Sequence, residues 1–264
     1  MRQLFRSMNR MLEAFGLDLR KTARSAKGLP RYLRARSLIK DQATSAESVF
    51  PFGQSTPCLG EELDESGFAS GHYFLQDLLV ARRIQLSEPT LHVDVGSRID
   101  GFVAHVASFR DIEVFDIRPM SAEIPGVRFT QVDLMAPLPD EFVGYCDSLS
   151  CLHALEHFGL GRYGDDVCYD GHLHGLENLH RILKTGGTLY LSVPIGPQRI
   201  EFNAHRVFSV DYLLSHLTEC YRVSRFSYID DKATLHENAP LAAPEVANNF
   251  GCNYGCGIFE LTKL

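Results

Sequence analysis

Leu91-His92-Val93-Asp94-Val95-Gly96-Ser97-Arg98-Ile99-Asp100-Gly101 opens with a short apolar run, reaches an acid, and breaks at a glycine. Such a run reads as a buried strand that feeds a turn and then a helix. Forward along the chain the pattern recurs. Ile112 to Phe115 ends at Asp116, Phe129 to Val132 ends at Asp133, and Tyr145 to Leu149 leads into a helix expected to start near His153. Thr188 to Val193 follows a Gly186-Gly187 turn and closes at Pro194. Helical periodicity covers Tyr73 to Ile84, residues 101–109 and His174 to Leu183. Strands alternating with helices mean βαβ units, and hence a parallel sheet covered on both faces. Beyond it, Val210 to Leu217 reads as helix, Tyr221 to Ile229 and Gly257 to Leu261 as strands, and 231–253 as loop. The fold class is α/β, doubly wound and Rossmann-like.

The 264 residues allow one large domain with an arm. The net charge of −7 hides two regions of opposite sign. Residues 1–40 hold eleven basic and two acidic side chains, a balance of +9, whereas the other 224 hold 15 basic and 31 acidic, a balance of −16. An acidic body argues against a nucleic-acid groove, which needs a positive surface. In the arm, Leu4, Phe5, Met8, Met11, Leu12 and Phe15 form an apolar helical stripe with Gly16 as its stop, and Pro30 is placed to open a second helix. A basic amphipathic helix suits an anionic membrane surface, and equally packing on the main domain or on a second copy in a homo-oligomer. The expected division is therefore a basic arm over 1–40, a linker over 41–68 and the main domain over 69–264. The seven cysteines are scattered with no Cys-x-x-Cys, which points to a reduced, cytoplasmic chain rather than a disulfide framework or zinc ribbon.

In doubly wound sheets, ligands sit at the carboxyl ends of the strands where strand order reverses. Asp94, Asp116 and Asp133 all fall at strand ends. Gly96 lets backbone approach a ligand, and the helix expected after it offers free N–H groups beside Ser97 and Arg98. Asp116, twenty residues beyond Gly96, is placed to hold two ribose hydroxyls, and Asp133, followed by Leu134, to accept from an exocyclic amine such as that of adenine. Together the three acids favour a ligand made of ribose and adenine.

From about residue 69 to 230, with the closing strand at 257–261, the chain resembles class I S-adenosylmethionine (SAM)-dependent methyltransferases. Val93-Asp94-Val95-Gly96-Ser97 is similar to the first motif of that superfamily, and Asp116 and Asp133 fall at its second and third. Cys146 to His157 looks like its fourth strand and the substrate-facing residues after it, and Leu183-Lys184-Thr185-Gly186-Gly187 like its fifth-strand turn. The second glycine of the first motif is replaced by Arg98, a residue suited to a carboxylate. His72-Tyr73-Phe74, Gly161-Arg162-Tyr163-Gly164-Asp165 and Phe202-Asn203-Ala204-His205-Arg206 resemble, more closely, a methyltransferase-like family known only as a domain of unknown function. The resemblance implies a mostly parallel seven-stranded sheet with an antiparallel last strand and SAM as cofactor, with His153 joining the cofactor residues. An NAD dehydrogenase would want the fuller Gly-x-Gly-x-x-Gly, which is missing.

Residues 153–180 are rich in His and Asp. His153, Glu156 and His157 match the His-x-x-Glu-His of inverted zincins, although a nucleotide-type sheet is the wrong context for one. Asp165, Asp166 and Asp170 with His157 or His172 supply donors for a divalent cation, without any ligand-spacing motif. Polar loops over a cleft carry such residues without metal, and no metal ligand is assigned. For methyl transfer to a hydroxyl the protein supplies alignment and a base. His157, after the fourth strand, is the first candidate for that base and His205 the second, while Arg162, Tyr163, Asn203 and Arg206 are expected to hold the acceptor. The expected function is O-methylation of a small-molecule or glycan-type acceptor. The alternative is a SAM-binding partner subunit without turnover.

Overall fold

The computed structural model describes residues 11–45, 52–59, 61 and 71–264. It divides into two compact units, 1–68 and 69–264.

In the first unit, residues 11–14 are helical and stop at Gly16, whose φ is 79°. Gly16 N donates to Glu13 O and Leu17 N to Leu12 O, both at 2.9 Å, which is the paired bonding of a glycine-terminated helix. Leu4, Phe5 and Met8 of the expected stripe lie outside the described residues. The next helix, α1 (Leu19–Ser45), opens eleven residues before Pro30 rather than at it. Asp18 explains the early start, because its carboxylate accepts from Lys21 N at 3.1 Å and caps the first turn. Pro30 removes one N–H from a 27-residue helix, which retains its other bonds. The helix also runs through 41–45, where linker was expected; most of the remaining linker lies outside the described residues. No described helix is long and apolar enough to cross a membrane.

The second unit begins with α2 (His72–Ser87) and alternates through β1 (His92–Val95), α3 (Ala104–Ala107), β2 (Ile112–Asp116), β3 (Val127–Gln131), β4 (Cys146–Leu152), α4 (Gly171–Ile182) and β5 (Leu183–Ile195). A hairpin of β6 (Arg199–Glu201) and β7 (His205–Val207) precedes α5 (Val210–Leu217), β8 (Tyr221–Ile229), β9 (Leu235–His236), α6 (Ala243–Ala247) and β10 (Gly255–Lys263). The sheet order is β3-β2-β1-β4-β5-β10-β8-β9. β1 to β5 pair in parallel, and β10 runs antiparallel to both β5 and β8. This is the expected seven-stranded arrangement with its antiparallel last strand, extended by the two-residue β9.

The central strands β1, β2, β4 and most of β5 are buried on both faces, while β3 at the edge is only half-buried. On one face Leu149, Leu179, Ile182, Leu213 and Leu217 form the core, and on the other Leu79, Ile84, Phe102, Val106 and Val114 do so. β1 is buried at all four positions, as a central parallel strand should be. Strand order reverses between β1, which pairs outward with β2, and β4, so a crevice opens at their carboxyl ends.

Of the helices expected over 101–109 and near His153, the first is formed only in part and the second not at all. Residues 99–103 make a single π-helical turn with Gly101 at φ −125° and ψ −108°, and only the four residues of α3 follow it. Glycine tolerates that conformation, and a Cβ at 101 would stand 3.0 Å from Asp77 Oδ2. After β4 the chain makes only a 3₁₀ turn, Leu155–His157. Gly159, Gly161 and Gly164 then take φ values of 77°, 69° and 88°, which an α-helix cannot continue. The Gly186-Gly187 turn is absorbed into β5 as a bulge: Cys146 pairs with Leu183, yet Ser148 pairs with Thr188.

Candidate active site

At the carboxyl ends of β1, β2 and β4 lies a cleft of about 280 Å³, within reach of the ~300–1,000 Å³ typical of small-molecule sites. Gly96, Arg98, Asp116, Asp133, Leu134, His153, His157, Arg162 and Tyr163 line it, together with apolar Val132, Met135 and Phe158. A second hollow of about 500 Å³ adjoins it and shares Tyr73, His153, His157 and Arg162; His72, Glu156, His205 and Tyr254 complete its walls.

The sequence turn after β1 folds on Asp94. This carboxylate is buried and accepts from Ser97 N at 3.0 Å, Ser97 Oγ at 2.7 Å and, across the sheet, Ser150 Oγ at 2.5 Å. Burial pushes its carboxyl up to about 7 against those three donors. Asp94 and Ser97 were expected to touch the cofactor. They do not line the cleft, because each satisfies the other, and their work is to hold Gly96 in place. Gly96 itself has a φ of 70°, and a Cβ there would come within 2.9 Å of Ala154 Cβ. The three acids therefore do not all converge: Asp116 and Asp133 face the cleft, and Asp94 stands behind it.

Asp116 is gripped by a residue that sequence reading passed over. Arg118 donates from Nη2 to Oδ2 at 2.6 Å and from Nε to Oδ1 at 3.0 Å, and its backbone N bonds Oδ1 at 2.8 Å. The Arg118 guanidinium lies 4.5 Å from the centre of the Tyr163 ring, and Arg162 lies 5.0 Å from the same ring. A carboxylate offers about four lone-pair sites, so Asp116 keeps acceptor capacity beyond Arg118. Its position two residues after the strand-end acid was the available signal. Asp133 accepts from Met135 N at 2.8 Å. Asn178 of α4 fixes that loop by donating to Leu134 O at 2.9 Å and Ala136 O at 2.8 Å. Arg98 is largely exposed at the cleft mouth, paired with Asp100 at 2.8 Å. No long helix starts behind it, so the expected helix-dipole contribution falls away.

His153 sits in the left-handed region at φ 50°, rare for a residue with a side chain. Its Nδ1 lies 2.7 Å from Glu156 Oε1, and both residues are buried. Burial opposes charge on His153, but Cys256 and the Glu156 carboxylate outweigh it and raise the imidazole to about 10. Burial likewise opposes charge on Glu156, and His153 overcomes it to hold the carboxyl below its ordinary value. The two buried groups are hydrogen-bonded, and each shifts the other toward its charged form. The arrangement also removes the zincin geometry: His153 precedes a single 3₁₀ turn instead of sharing a helical face with His157.

His157 lies between the two hollows. Its Nδ1 is 2.7 Å from Ala204 O, so that nitrogen carries the proton and Nε2 keeps its lone pair. Burial lowers its pKa below the ordinary histidine value. His205 faces the second hollow, with its ring 5.1 Å from that of Tyr254. Among the described residues, Glu156 Oε2, His153 Nε2 and His205 Nε2 are buried and make no hydrogen bond.

Two expected acceptor residues are placed elsewhere. Asn203 is exposed in the β6–β7 turn and lines neither hollow. Arg206 is 4 % exposed and donates to Phe158 O at 2.5 Å and Tyr169 O at 2.9 Å. It ties the glycine-rich loop to the hairpin. The Asp and His residues considered for a hard cation are also dispersed. Asp165 accepts from the backbone of Gly159, Gly161 and Tyr163, His172 bonds Tyr212 at 2.8 Å, and Asp166 and Asp170 are exposed.

A family model described as Caenorhabditis protein of unknown function, DUF268, matches residues 128–238, less than half of the chain. Comparison with curated proteins gives no match. Among solved structures, the [4+2]-cyclase SpnF is similar at 17 % identity and a TM-score of 0.51, over 72 % of this chain and 80 % of that one. The 1,6-didemethyltoxoflavin-N1-methyltransferase of Burkholderia thailandensis, solved with 1,6-didemethyltoxoflavin and S-adenosylhomocysteine, gives 16 % identity and 0.48 over 71 % and 77 %. The N-methyltransferase NodS of Bradyrhizobium japonicum, with S-adenosylhomocysteine, gives 13 % and 0.46 over 72 % and 87 %. The likeness is one of fold, a Rossmann-like α/β sheet. A fold of this kind hosts more than one reaction, so chemistry must be argued from the site.

Proposed function

We propose that the chain is a SAM-dependent methyltransferase acting on the oxygen of a small or glycan-type acceptor. One observation carries this reading: a cleft bearing Gly96, Asp116 and Asp133 adjoins a hollow where the buried Glu156 Oε2 and His205 Nε2 make no hydrogen bond, the latter lying 3.6 Å from Glu201 Oε2. A buried polar atom left unsatisfied costs about 1–3 kcal/mol, so this hollow is built for a polar guest.

The cleft residues fit the cofactor by their chemistry. Asp116 takes the ribose hydroxyls, Asp133 the adenine amine, and Leu134 with Val132 and Met135 the ring faces. Arg98 reaches the amino-acid carboxylate from the mouth. When bound, SAM supplies a methyl group on a sulfonium. His157 Nε2 accepts the proton of the acceptor hydroxyl, and Glu156, with Oε1 3.9 Å from that nitrogen, stabilises the imidazolium formed. Arg162 and Tyr163 border the acceptor, and His205 donates to or accepts from it across the hollow. Cytoplasmic placement, with the basic arm resting on an anionic surface, belongs to the same proposal. Deletion of residues 1–40 is expected to abolish association with anionic liposomes while leaving activity, and retained association would remove the arm from the account.

A second reading, a cofactor-binding partner without turnover, is favoured by Arg118 on Asp116 and by Arg98 at the second glycine position. A product assay decides between them. Release of S-adenosylhomocysteine in proportion to methylated polyhydroxylated acceptor supports the enzyme; cofactor binding with no product from any acceptor supports the partner.

A further inference from the structure

His72 opens α2, His153 follows β4, and Cys256 lies in β10, yet the three meet. One donor atom of each lies within 4.8 Å of the others, the one such group of three among the described residues. The His72 and His153 rings stack at 5.3 Å with 7° between their planes, so His72 must turn out of the stack for both lone pairs to meet one ion. His153 Nε2 is buried without a hydrogen-bond partner, while Nδ1 of the same ring is held by Glu156 at 2.7 Å. Cys256 is fully buried, its Sγ 3.6 Å from Gln76 Oε1. His72 and Cys256 lie outside the cleft, and His153 borders both the cleft and the adjoining hollow.

We propose that His72, His153 and Cys256 form a zinc site beside the acceptor hollow. Three arguments meet here. First, a histidine that ligates a metal through one nitrogen almost always gives the other to a carboxylate or carbonyl, and Glu156 supplies that partner. Second, two imidazoles and a thiolate form a borderline-soft set that selects zinc over magnesium or calcium, which want oxygen. Third, charge closes: a divalent cation is neutralised by the Cys256 thiolate and the Glu156 carboxylate, both buried, where unbalanced charge is costly. Zinc bonds of roughly 2.0–2.3 Å require donors closer together than 4.8 Å. The half-buried His72 side chain supplies that movement. Three protein ligands leave a fourth position for water or for a donor atom of the acceptor, since His72 and His153 both line the hollow. That last role rests on the methyltransferase reading; the metal site itself does not.

Cobalt(II) reports such a site in the full chain, reduced and freed of metal by a chelator. Wild type is expected to bind one equivalent with a thiolate-to-cobalt charge-transfer band, displaced by one equivalent of zinc. Cys256→Ser should remove the band, and His72→Ala should weaken zinc at least about tenfold. Glu156→Gln should weaken it roughly 10–100-fold, the range seen for outer-shell partners. Cys58→Ser and Cys252→Ser should leave the band in place. No band in the wild type, a band that survives Cys256→Ser, or one lost in the Cys58 or Cys252 variant overturns the site. His72 is half-buried at a helix start, so His72→Ala is the variant least able to unfold the chain, and unchanged zinc affinity in it alone contradicts the proposal. Calorimetry of S-adenosylhomocysteine on the same samples separates the two ideas: cofactor binding without cobalt binding defeats only the metal site, and the reverse defeats only the methyltransferase reading.

Discussion

The cleft and the adjoining hollow are finished to different degrees. In the cleft, Asp116 is held by Arg118 and Asp133 by Met135 N, with Asp94 behind them satisfied by Ser97 and Ser150. In the hollow, Glu156 Oε2, His153 Nε2 and His205 Nε2 have no hydrogen bond. The cleft is lined by the segments after β1 to β4 with Tyr73 of α2, whereas the hollow is assembled from α2, the loop after β4, the β6–β7 hairpin and Tyr254 just before β10. One region has its acids already bonded, and the other holds buried polar atoms without a hydrogen bond. In such a molecule, changes in the cleft should act on cofactor affinity and changes in the hollow on turnover.

The largest expected effect is in the hollow. His157→Ala should lower turnover by ~10²–10⁴, the range for loss of a general base, with SAM affinity within about twofold by calorimetry. Equal losses in both would erase the distinction between the regions. The base acts when neutral, and burial lowers the His157 pKa. Turnover should therefore stay level as pH falls to the ordinary histidine value near ~6.5 and decline only below it. A decline beginning above that value would assign the proton transfer elsewhere.

Gly96→Val sharpens the comparison from the other side. The side chain meets Ala154 and forces a left-handed conformation, a strain of about 1–3 kcal/mol, so SAM should bind roughly 5–100-fold more weakly. A variant with wild-type affinity would show that the first turn does not shape the cleft. The smallest binding effect is expected where the structure moves two residues out of the site. Arg206→Met should lower the melting temperature, since the loop carbonyls of Phe158 and Tyr169 lose a charged donor, worth about 1.5–3 kcal/mol for a bond to a charged group. Asn203→Ala should change stability and acceptor KM by less than about twofold. A large KM effect from Asn203→Ala would return that residue to the acceptor.

Legibility in the sequence follows the same division. β1 and β2 were readable within a residue or so because their apolar runs are buried on both faces, and α5 and β8 because their apolar residues recur at helical or strand spacing between turns. Asp116 and Asp133 were readable because strand ends at a reversal of order are where ligands sit. Asp94 looked the same in sequence, but only the cross-strand neighbour Ser150 reveals that it points into the sheet. The helix expected at His153 failed because three glycines in left-handed conformations follow it, and glycine alone does not announce which conformation it takes. Arg206 resembles a substrate ligand by type and is instead a buried brace, a difference that depends on loop carbonyls 37–50 residues away. The meeting of His72, His153 and Cys256 spans 180 or more residues of chain and no spacing motif encodes it.

The most direct test is calorimetric titration of SAM into the full chain and into Asp116→Ala. The account predicts one site in the wild type and affinity roughly 10–100-fold weaker in the variant, the worth of about 1.5–3 kcal/mol for hydrogen bonds to a charged group. Equal affinity in the two proteins, or no binding to the wild type, would contradict it.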